Sequence, residues 1–357
     1  MAVQKIDIDN FIIETSASIG SSLRSSITID VRSPAEFEHA HIPHALNLPL
    51  FDNEQRALIG TTYKKQSREE AIKVGLPLFG TKLLPMIETV EKWVSEKQQG
   101  ANTIKPTILV HCWRGGMRSA AVAWLLDLYG FRVYQLTGGY KAYRNWVLNQ
   151  FIKEYPIKVL GGFTGSGKTE ILHTLQQRNN TVIDLEGLAN HKGSAFGAIG
   201  QAVQPTQEMF ENKLAAALFN NKTDQPFWVE DESQRIGLVM IPSAFFLQMR
   251  NSICHFIIIP FEERLNFIVQ GYGGFEVQLL IDATIRIQKR LGGLETKNAV
   301  QFFNENNIIA AFAILLKYYD RWYEKNTLSA SPPKLLVQEF NAEKVDPVHN
   351  AVLVEKR

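Results

Sequence analysis

A chain of 357 residues, 45% hydrophobic and 21% charged, has the make-up of a folded globular protein and the length of two domains. Two cysteines cannot build a disulfide framework, and a net charge of +2 does not mark the whole chain as a polycation for nucleic acid. The longest apolar runs, HFIIIP at 255–260 and IIAAFAILL at 308–316, are too short to span a bilayer, and MAVQKIDIDN has no basic stretch leading into an apolar one; the expected setting is the reducing cytoplasm, with no membrane partner.

In chain order, SITIDVR at 26–32 reads as a short strand. SPAEFEHA at 33–40 then opens a helix, with Ser33 as N-cap, Pro34 at the first helical position and Glu36 placed to close a capping box. HALNLPL at 44–50 reads as another strand, and TILVHC at 107–112 is a continuous apolar run of the kind buried in a parallel sheet. SAAVAWLLDLYG at 119–130 is a helix stopped by Gly130, and FRVYQLTGG at 131–139 is a strand. Strands alternating with helices predict an α/β fold built on a parallel sheet.

Between the strand at 107–112 and its helix lies HCWRGGMRS, 111–119. Cys112 ends a strand and precedes a glycine turn and a helix N-terminus, where backbone N–H groups converge and the helix end adds positive potential. Such a loop stabilises an anion on sulfur, and Arg114 and Arg118 add formal charge; these three residues are the candidate catalytic set. With polar and glycine neighbours Cys112 reads as reactive, whereas Cys254, inside apolar CHFIIIP, reads as core. The string H-C-x5-R-S also fits the phosphatase signature, in which cysteine attacks phosphorus and arginine grips the phosphate oxygens. Trp113 suits either stacking on a base or packing within the loop.

A second α/β pattern starts after Pro156. IKVLGGFTG is a strand running into a glycine loop, and KTEILHTLQQR is a helix. Residues 162–169, GFTGSGKT, satisfy GxxxxGK[ST] in the strand–loop–helix setting that the motif requires. Gly162, Gly165, Ser166 and Gly167 let backbone amides approach phosphate oxygens, Lys168 neutralises them, and Thr169 is the expected ligand of a magnesium ion, beyond which no cofactor is called for. TVIDLE at 181–186 and PFWVEDE at 226–232 read as strands, with a helix at 206–221 between them. CHFIIIP at 254–260 is a further strand, and 280–325 is mainly helical. Glu230 and Asp231, at the end of their strand, are expected to partner the metal, with Asp184 and Glu186 competing for that role. The boundary is expected near 145–155, giving domains 1–150 and 151–357. Beyond Ser329 a Pro-Pro pair precedes a β-like KLLVQEF. Two basic clusters, Arg286, Lys289 and Arg290, then Lys317, Arg321 and Lys325, suit either nucleic-acid contacts or solvated helix faces.

DVRSPAEFEHAHIPHALNLP and LTGGYKAYR resemble the rhodanese domain, a fold shared with phosphatases of the cell-cycle type. The cysteine loop is one residue longer than in ordinary rhodaneses and has room for a tetrahedral oxyanion. A rhodanese-like domain followed by a P-loop domain, with CWRGGMRS, GGFTGSGKTE, DLEGLANHKGSAFG, QPTQEMFEN and VEDESQRIG all present, resembles the tRNA 2-selenouridine synthase family over roughly residues 10–325. The resemblance implies an N-terminal rhodanese-like parallel-sheet domain, then a P-loop NTPase-like α/β domain with a helical C-terminal part. It implies a transferase that S-geranylates a wobble 2-thiouridine of tRNA from geranyl diphosphate and then replaces the sulfur with selenium from selenophosphate. By the same resemblance Cys112 serves the selenium step and the loop from Gly162 to Thr169 binds the diphosphate. The implied partners are tRNA carrying a 2-thiouridine wobble base and, transiently, a selenophosphate-producing enzyme. His191, Lys192, Ser194, Gln204, Gln207, Glu208 and Arg235 lie in the matching motifs and are expected at the nucleoside or diphosphate site. HKGSAFG stands where the family has HRGSSFG, so Lys192 keeps the charge and Ala195 offers no hydroxyl. Phe163, Phe196 and Phe210 are candidates for an apolar cleft around the prenyl chain. The residues by themselves leave three other readings: a small-molecule kinase or ATPase with a rhodanese sensor domain, a Cys-dependent phosphatase, and a non-catalytic tRNA-binding module.

Overall fold

The computed structural model describes residues 3–20, 26–98, 106–221, 225–325 and 336–355; the Pro332–Pro333 pair and the first two residues of KLLVQEF lie outside them. Each of two units, Met1–Asn149 and Gln150–Arg357, is organised around its own parallel five-stranded sheet.

Unit 1 contains β1 (Gln4–Ile6), β2 (Ser26–Asp30), β3 (Leu46–Asn47), β4 (Thr107–His111) and β5 (Val133–Leu136), laid side by side as β1-β5-β4-β2-β3 with every pairing parallel. The apolar run that forms β4 is sealed on both faces: Ile108 and Val110 are fully buried with Ile27, Ile29, Val122 and Leu126 on one side, and Leu109, pointing to the other, is fully buried too. Burying a side chain of this size contributes about 1.5–3 kcal/mol, which is why the middle strand tolerates no polar alternation. The helix Pro34–His39 begins as expected, the Ser33 backbone N–H donating to Glu36 Oε2 at 3.2 Å. HALNLPL is strand only at Leu46–Asn47. Its later residues follow β2 through single bonds, Leu48 N to Asp30 O at 2.9 Å and Leu50 N to Val31 O at 3.3 Å, while Leu48 and Leu50 drop into the core. Three helices, Asn53–Lys65, Arg68–Gly80 and Leu83–Gln98, fill the stretch before β4.

Unit 2 contains β6 (Ile157–Gly162), β7 (Thr181–Val182), β8 (Phe227–Glu230), β9 (Arg235–Ile236), β10 (Val239–Met240), β11 (Ile253–Ile258) and β12 (Leu336–Asn341). Its main sheet runs β12-β11-β6-β8-β7, all parallel, and β9 and β10 form a separate antiparallel pair. The chain proceeds from β6 toward β8 and β7 on one side and later returns to β11 on the other. The C-terminal end of β6 is therefore the switch point at which open α/β sheets bind ligands. TVIDLE is not one strand: after Thr181–Val182 the chain turns, and Asp184 caps the short helix Leu185–Ala189 by accepting from Gly187 N at 2.8 Å. An aspartate bonding to the backbone ahead of it starts a helix more readily than it continues a strand. The helices Phe261–Tyr272, Val277–Arg286, Gly293–Asn304 and Ile308–Tyr323 share a core that includes Phe196, Leu280, Phe303 and Phe312. Among the described residues no helix is long and apolar enough to cross a membrane.

Candidate functional site

β4 delivers Cys112 to the C-terminal edge of the first sheet, and the loop that follows ends at Gly116, the N-cap of the helix Met117–Tyr129. Cys112 is buried, with its Sγ 3.2 Å from Ser119 Oγ. The loop is interlocked with the turn after β5. Gly115 has φ +64°, and a Cβ there would fall 2.4 Å from Leu136 O; a Cβ on Gly139 would fall 2.3 Å from Cys112 O. Both glycines are required for that contact, and Tyr140 N closes it by donating to Cys112 O at 2.8 Å. The LTGG string is thus the back wall of the cysteine loop.

The three candidate catalytic residues stand in different surroundings. Cys112 lies at the floor, Arg114 is exposed, and Arg118 is bonded to Glu36, Nη1 to Oε2 at 2.9 Å, with Arg56 3.6 Å from the same oxygen. Burial pushes the Glu36 carboxyl up, but the Arg118 bond and charge and the Ser33 N–H outweigh it and hold the group below its ordinary range. Trp113 is 38% exposed, tilted against Tyr140 at 5.7 Å, with the Arg32 guanidinium 6.0 Å from its ring centre. It packs within the loop and keeps an open face. His111 is buried with its Nδ1 3.9 Å from Asp30 Oδ1, and burial outweighs the Asp30 charge and holds the ring toward the neutral form.

In unit 2, β6 runs into the glycine loop, and the helix Lys168–Gln177 starts behind Gly167. Lys168 Nζ donates to Gly162 O at 3.2 Å and lies 3.5 Å from Glu230 Oε1. Thr169 Oγ1 lies 3.2 Å from Glu186 Oε2 and 3.4 Å from Glu230 Oε2. Buried Ser166 donates to Phe163 O at 2.6 Å, so its hydroxyl braces the loop. One oxygen from each of Glu186, Glu230 and Glu232 lies within 4.8 Å of the others. Burial and mutual repulsion push these carboxyls up, Glu186 to about 10 and Glu232 to about 8. Burial disfavours the Lys168 charge, but the surrounding carboxylates, Glu230 foremost, overcome it and raise the ammonium group.

Asp231 does not join this cluster. It accepts from Arg250 Nη2 at 2.5 Å and from the Tyr323 hydroxyl, and its side chain is 4% exposed. Successive residues of extended chain point to opposite sides, so Glu230 and Glu232 share the side of the loop lysine while the Asp231 oxygens turn to Arg250 and Tyr323. Glu232, unnamed from sequence, takes the place expected of Asp231. The spacing in VEDES carried that signal. Asp184 is likewise absent from the cluster, being spent on its cap, whereas Glu186 is in it. Gly193 explains one motif glycine: a Cβ there would fall 2.6 Å from both Glu232 carboxylate oxygens.

A cleft of about 1640 Å³ opens over the loop. Gly162, Gly165, Ser166, Gly167, Lys168, Thr169, His191, Lys192, Ser194, Gln204, Glu230, Asp231 and Arg235 all line it, together with Arg286 and Arg290. Lys289, Lys317, Arg321, Lys325, Gln207 and Glu208 lie outside the lining. Gln204 and Gln207 are held by backbone: Gln204 Nε2 donates to Ala189 O and Ile236 O, and Gln207 brackets Met240 from both sides. His191 has its Nδ1 sealed without a partner, and burial first and the Arg286 charge second push the ring toward neutrality. The apolar candidates are corrected. Phe196 and Phe210 are core, Phe163 packs edge-on to Phe256 at 5.3 Å, and none of the three lines the cleft. The apolar lining includes instead Val203, Leu238, Phe246, Phe267, Ile287 and Trp322.

The comparisons with known proteins divide the chain the same way. A profile described as the rhodanese-like domain matches residues 21–145, and one described as the tRNA 2-selenouridine synthase AAA domain matches 155–281. A tRNA 2-selenouridine synthase of Nitrosomonas europaea is 38% identical over 68% of this chain and 63% of its own length. That of Hydrogenovibrio crunogenus is 37% identical over 79% of this chain and 81% of its own. That of Sulfurovum sp. is 33% identical over 85% and 89%. The first alignment spans just under two thirds of the relative, and the other two span most of theirs.

Proposed function

Because the chain belongs to the tRNA 2-selenouridine synthase family, an enzyme family, we propose that it converts a wobble 2-thiouridine of tRNA into 2-selenouridine in the cytoplasm. In the finer reading the thiouridine sulfur attacks C1 of geranyl diphosphate, a C–S bond forms, the C–O bond breaks, diphosphate leaves and the base loses its N3 proton. Selenium of selenophosphate then attacks C2 of the base, a C–Se bond forms, the C–S bond breaks and the sulfur leaves as geranylthiol; water cleaves the P–Se bond and phosphate departs.

The division of labour follows from what each loop offers. Departing diphosphate gathers negative charge, which Lys168 and the loop N–H groups are placed to meet. Cys112 serves the selenium step, in a loop whose N–H groups suit a tetrahedral oxyanion carrying a soft atom. The observation that carries the reading is the make-up of the unit 2 cleft. A phosphate-binding loop shares about 1640 Å³ with Val203 and Leu238, which are 91% and 80% exposed, and with Trp322. That room suits an apolar chain and a nucleoside beside the diphosphate.

Magnesium fits the residues present. Thr169 Oγ1 and the carboxylates of Glu186 and Glu230 form a close set of hard oxygen donors, and carboxyls pushed toward their protonated forms are relieved by a divalent cation. Glu186, Glu230, Glu232 and Thr169 would hold the ion, which would neutralise the leaving diphosphate. The exposed cations Lys192, Arg235, Arg286 and Arg290 on the same lining suit tRNA phosphates. A selenophosphate-producing enzyme is the source of the second substrate.

The test is a separation of the two steps. Lys168→Ala should stop geranyl transfer yet still install selenium in tRNA that already carries S-geranyl-2-thiouridine. A wild-type protein that requires ATP hydrolysis for geranyl transfer, or that binds ATP more tightly than geranyl diphosphate, would favour the kinase-like reading instead.

A further inference from the structure

Gln135 is a buried polar residue in a strand otherwise built of apolar and aromatic side chains, VYQL, and it is 2% exposed. Such a residue needs partners, and its Nε2 finds three acceptors: Gly115 O at 3.0 Å, Gly116 O at 3.3 Å and Ser119 Oγ at 2.8 Å. Two of these are carbonyl oxygens, which only accept. The amide is therefore fixed with nitrogen toward the loop, since the flipped form would set oxygen against oxygen.

That orientation constrains Ser119. Its hydroxyl oxygen accepts from Gln135, and its own proton is left with two destinations, Gly116 O at 3.2 Å and Cys112 Sγ at 3.2 Å. Gly116 O already receives a contact from Gln135, so an anion on the sulfur is the stronger competitor for the Ser119 proton. The same amide ties down the carbonyls of Gly115 and Gly116. In a planar trans peptide the N–H points opposite to the C=O, so the N–H groups of Gly116 and Met117 are turned away from Gln135.

We infer that Gln135 is a positioning residue for the sulfur chemistry: it holds the Ser119 hydroxyl as a donor to an anion carried on Cys112. Gln135 acts on the sulfur through Ser119. The inference rests on the reading of Cys112 as the reactive thiol. The charged and titratable groups around this end of the sheet include His111 with His41, Arg32 with Asp30, Arg114, and Arg118 and Arg56 with Glu36. All of them remain when Gln135 or Ser119 is changed.

The experiment is alkylation of the full-length protein by iodoacetamide across pH, followed by mass analysis of the Cys112 peptide, for wild type, Ser119→Ala, Gln135→Met and the double variant. A hydrogen bond to a charged sulfur favours the anion, so Ser119→Ala should raise the pH of half-maximal rate by about one unit. Gln135→Met should raise it in the same direction, and the double variant should go no further than Ser119→Ala, while the limiting rate at high pH is kept. A loop that had merely lost packing would change the limiting rate and leave the midpoint in place. Should Gln135→Met not fold, Gln135→Asn, whose amide is one methylene short of the loop, is read the same way. A midpoint unchanged by the Gln135 variants, or shifts that add in the double variant, would overturn the inference while leaving Cys112 as the reactive thiol. A wild-type Cys112 inert at every pH would overturn that assignment, and the inference with it.

Discussion

Arg118 Nη1 lies 2.9 Å from Glu36 Oε2, so the arginine of the cysteine loop is held by the residue that closes the capping box of the helix after β2. A phosphatase arginine must present N–H donors to its ester. Here the guanidinium is shared with a carboxylate that also accepts from Ser33 N and neighbours Arg56. One Arg118 donor is thus committed to Glu36, which orients the guanidinium and competes with any phosphate ester for it. Glu36→Gln should release it, and inorganic phosphate should then protect Cys112 from iodoacetamide at several-fold lower concentration than in wild type. Equal protection in the two proteins would show that Arg118 reaches the oxyanion regardless of Glu36.

The same pair sets an acid dependence. The folded Glu36 carboxyl sits below its ordinary value, so its contribution to stability is present above about pH 4.5 and is lost as pH falls through the folded value. Melting temperature should drop below that pH in wild type and drop less in Glu36→Gln. Parallel curves for the two proteins would place the acid sensitivity elsewhere.

Neighbouring carboxylates on β8 and just beyond it should fail in different ways. The Asp231 side chain is packed against Arg250 and Tyr323, and Asp231→Ala leaves a half-buried guanidinium without its carboxylate, costing about 1–3 kcal/mol. Glu230→Gln removes one charge from a repelling cluster but also the foremost partner of the Lys168 ammonium, so its distinguishing readout is the loss of any gain in melting temperature from magnesium. Thermal unfolding with and without magnesium checks both. A stable Asp231→Ala protein, or a magnesium response that survives in Glu230→Gln, would contradict the assignment.

Much of this was legible in the sequence where local chemistry decides the outcome. The apolar run of β4, the Ser33–Pro34–Glu36 helix start and the GxxxxGK[ST] loop each contain their own instructions. What was not legible depends on partners distant in the chain. Nothing near Arg118 announces Glu36, 82 residues earlier, and nothing near Phe196 says that helices beyond residue 260 will bury it. The misreading of TVIDLE has a local cause, since Asp184 caps a helix as readily as it ends a strand. The Asp231 error was avoidable: period-two alternation in VEDES already places Glu232 with Glu230.

Position within the cleft also separates the basic residues. Arg286 and Arg290 line it, and Lys317 and Arg321 do not. If the lining cations meet tRNA phosphates, the double variant Arg286→Gln, Arg290→Gln should weaken binding and reduce the salt slope by about two, whereas Lys317→Gln, Arg321→Gln should leave the slope unchanged. Filter binding across a salt series distinguishes the two. Equal losses in both double variants would make the charge diffuse and not a feature of the cleft.

The central claim is that Cys112 carries the selenium step of a two-step exchange whose first step does not need it. The most direct measurement is mass analysis of nucleosides from 2-thiouridine tRNA incubated with geranyl diphosphate, selenophosphate and either the wild-type protein or Cys112→Ser. Wild type should yield 2-selenouridine, and Cys112→Ser should stop at S-geranyl-2-thiouridine, which accumulates. Selenouridine formed at the wild-type level by Cys112→Ser would contradict the account.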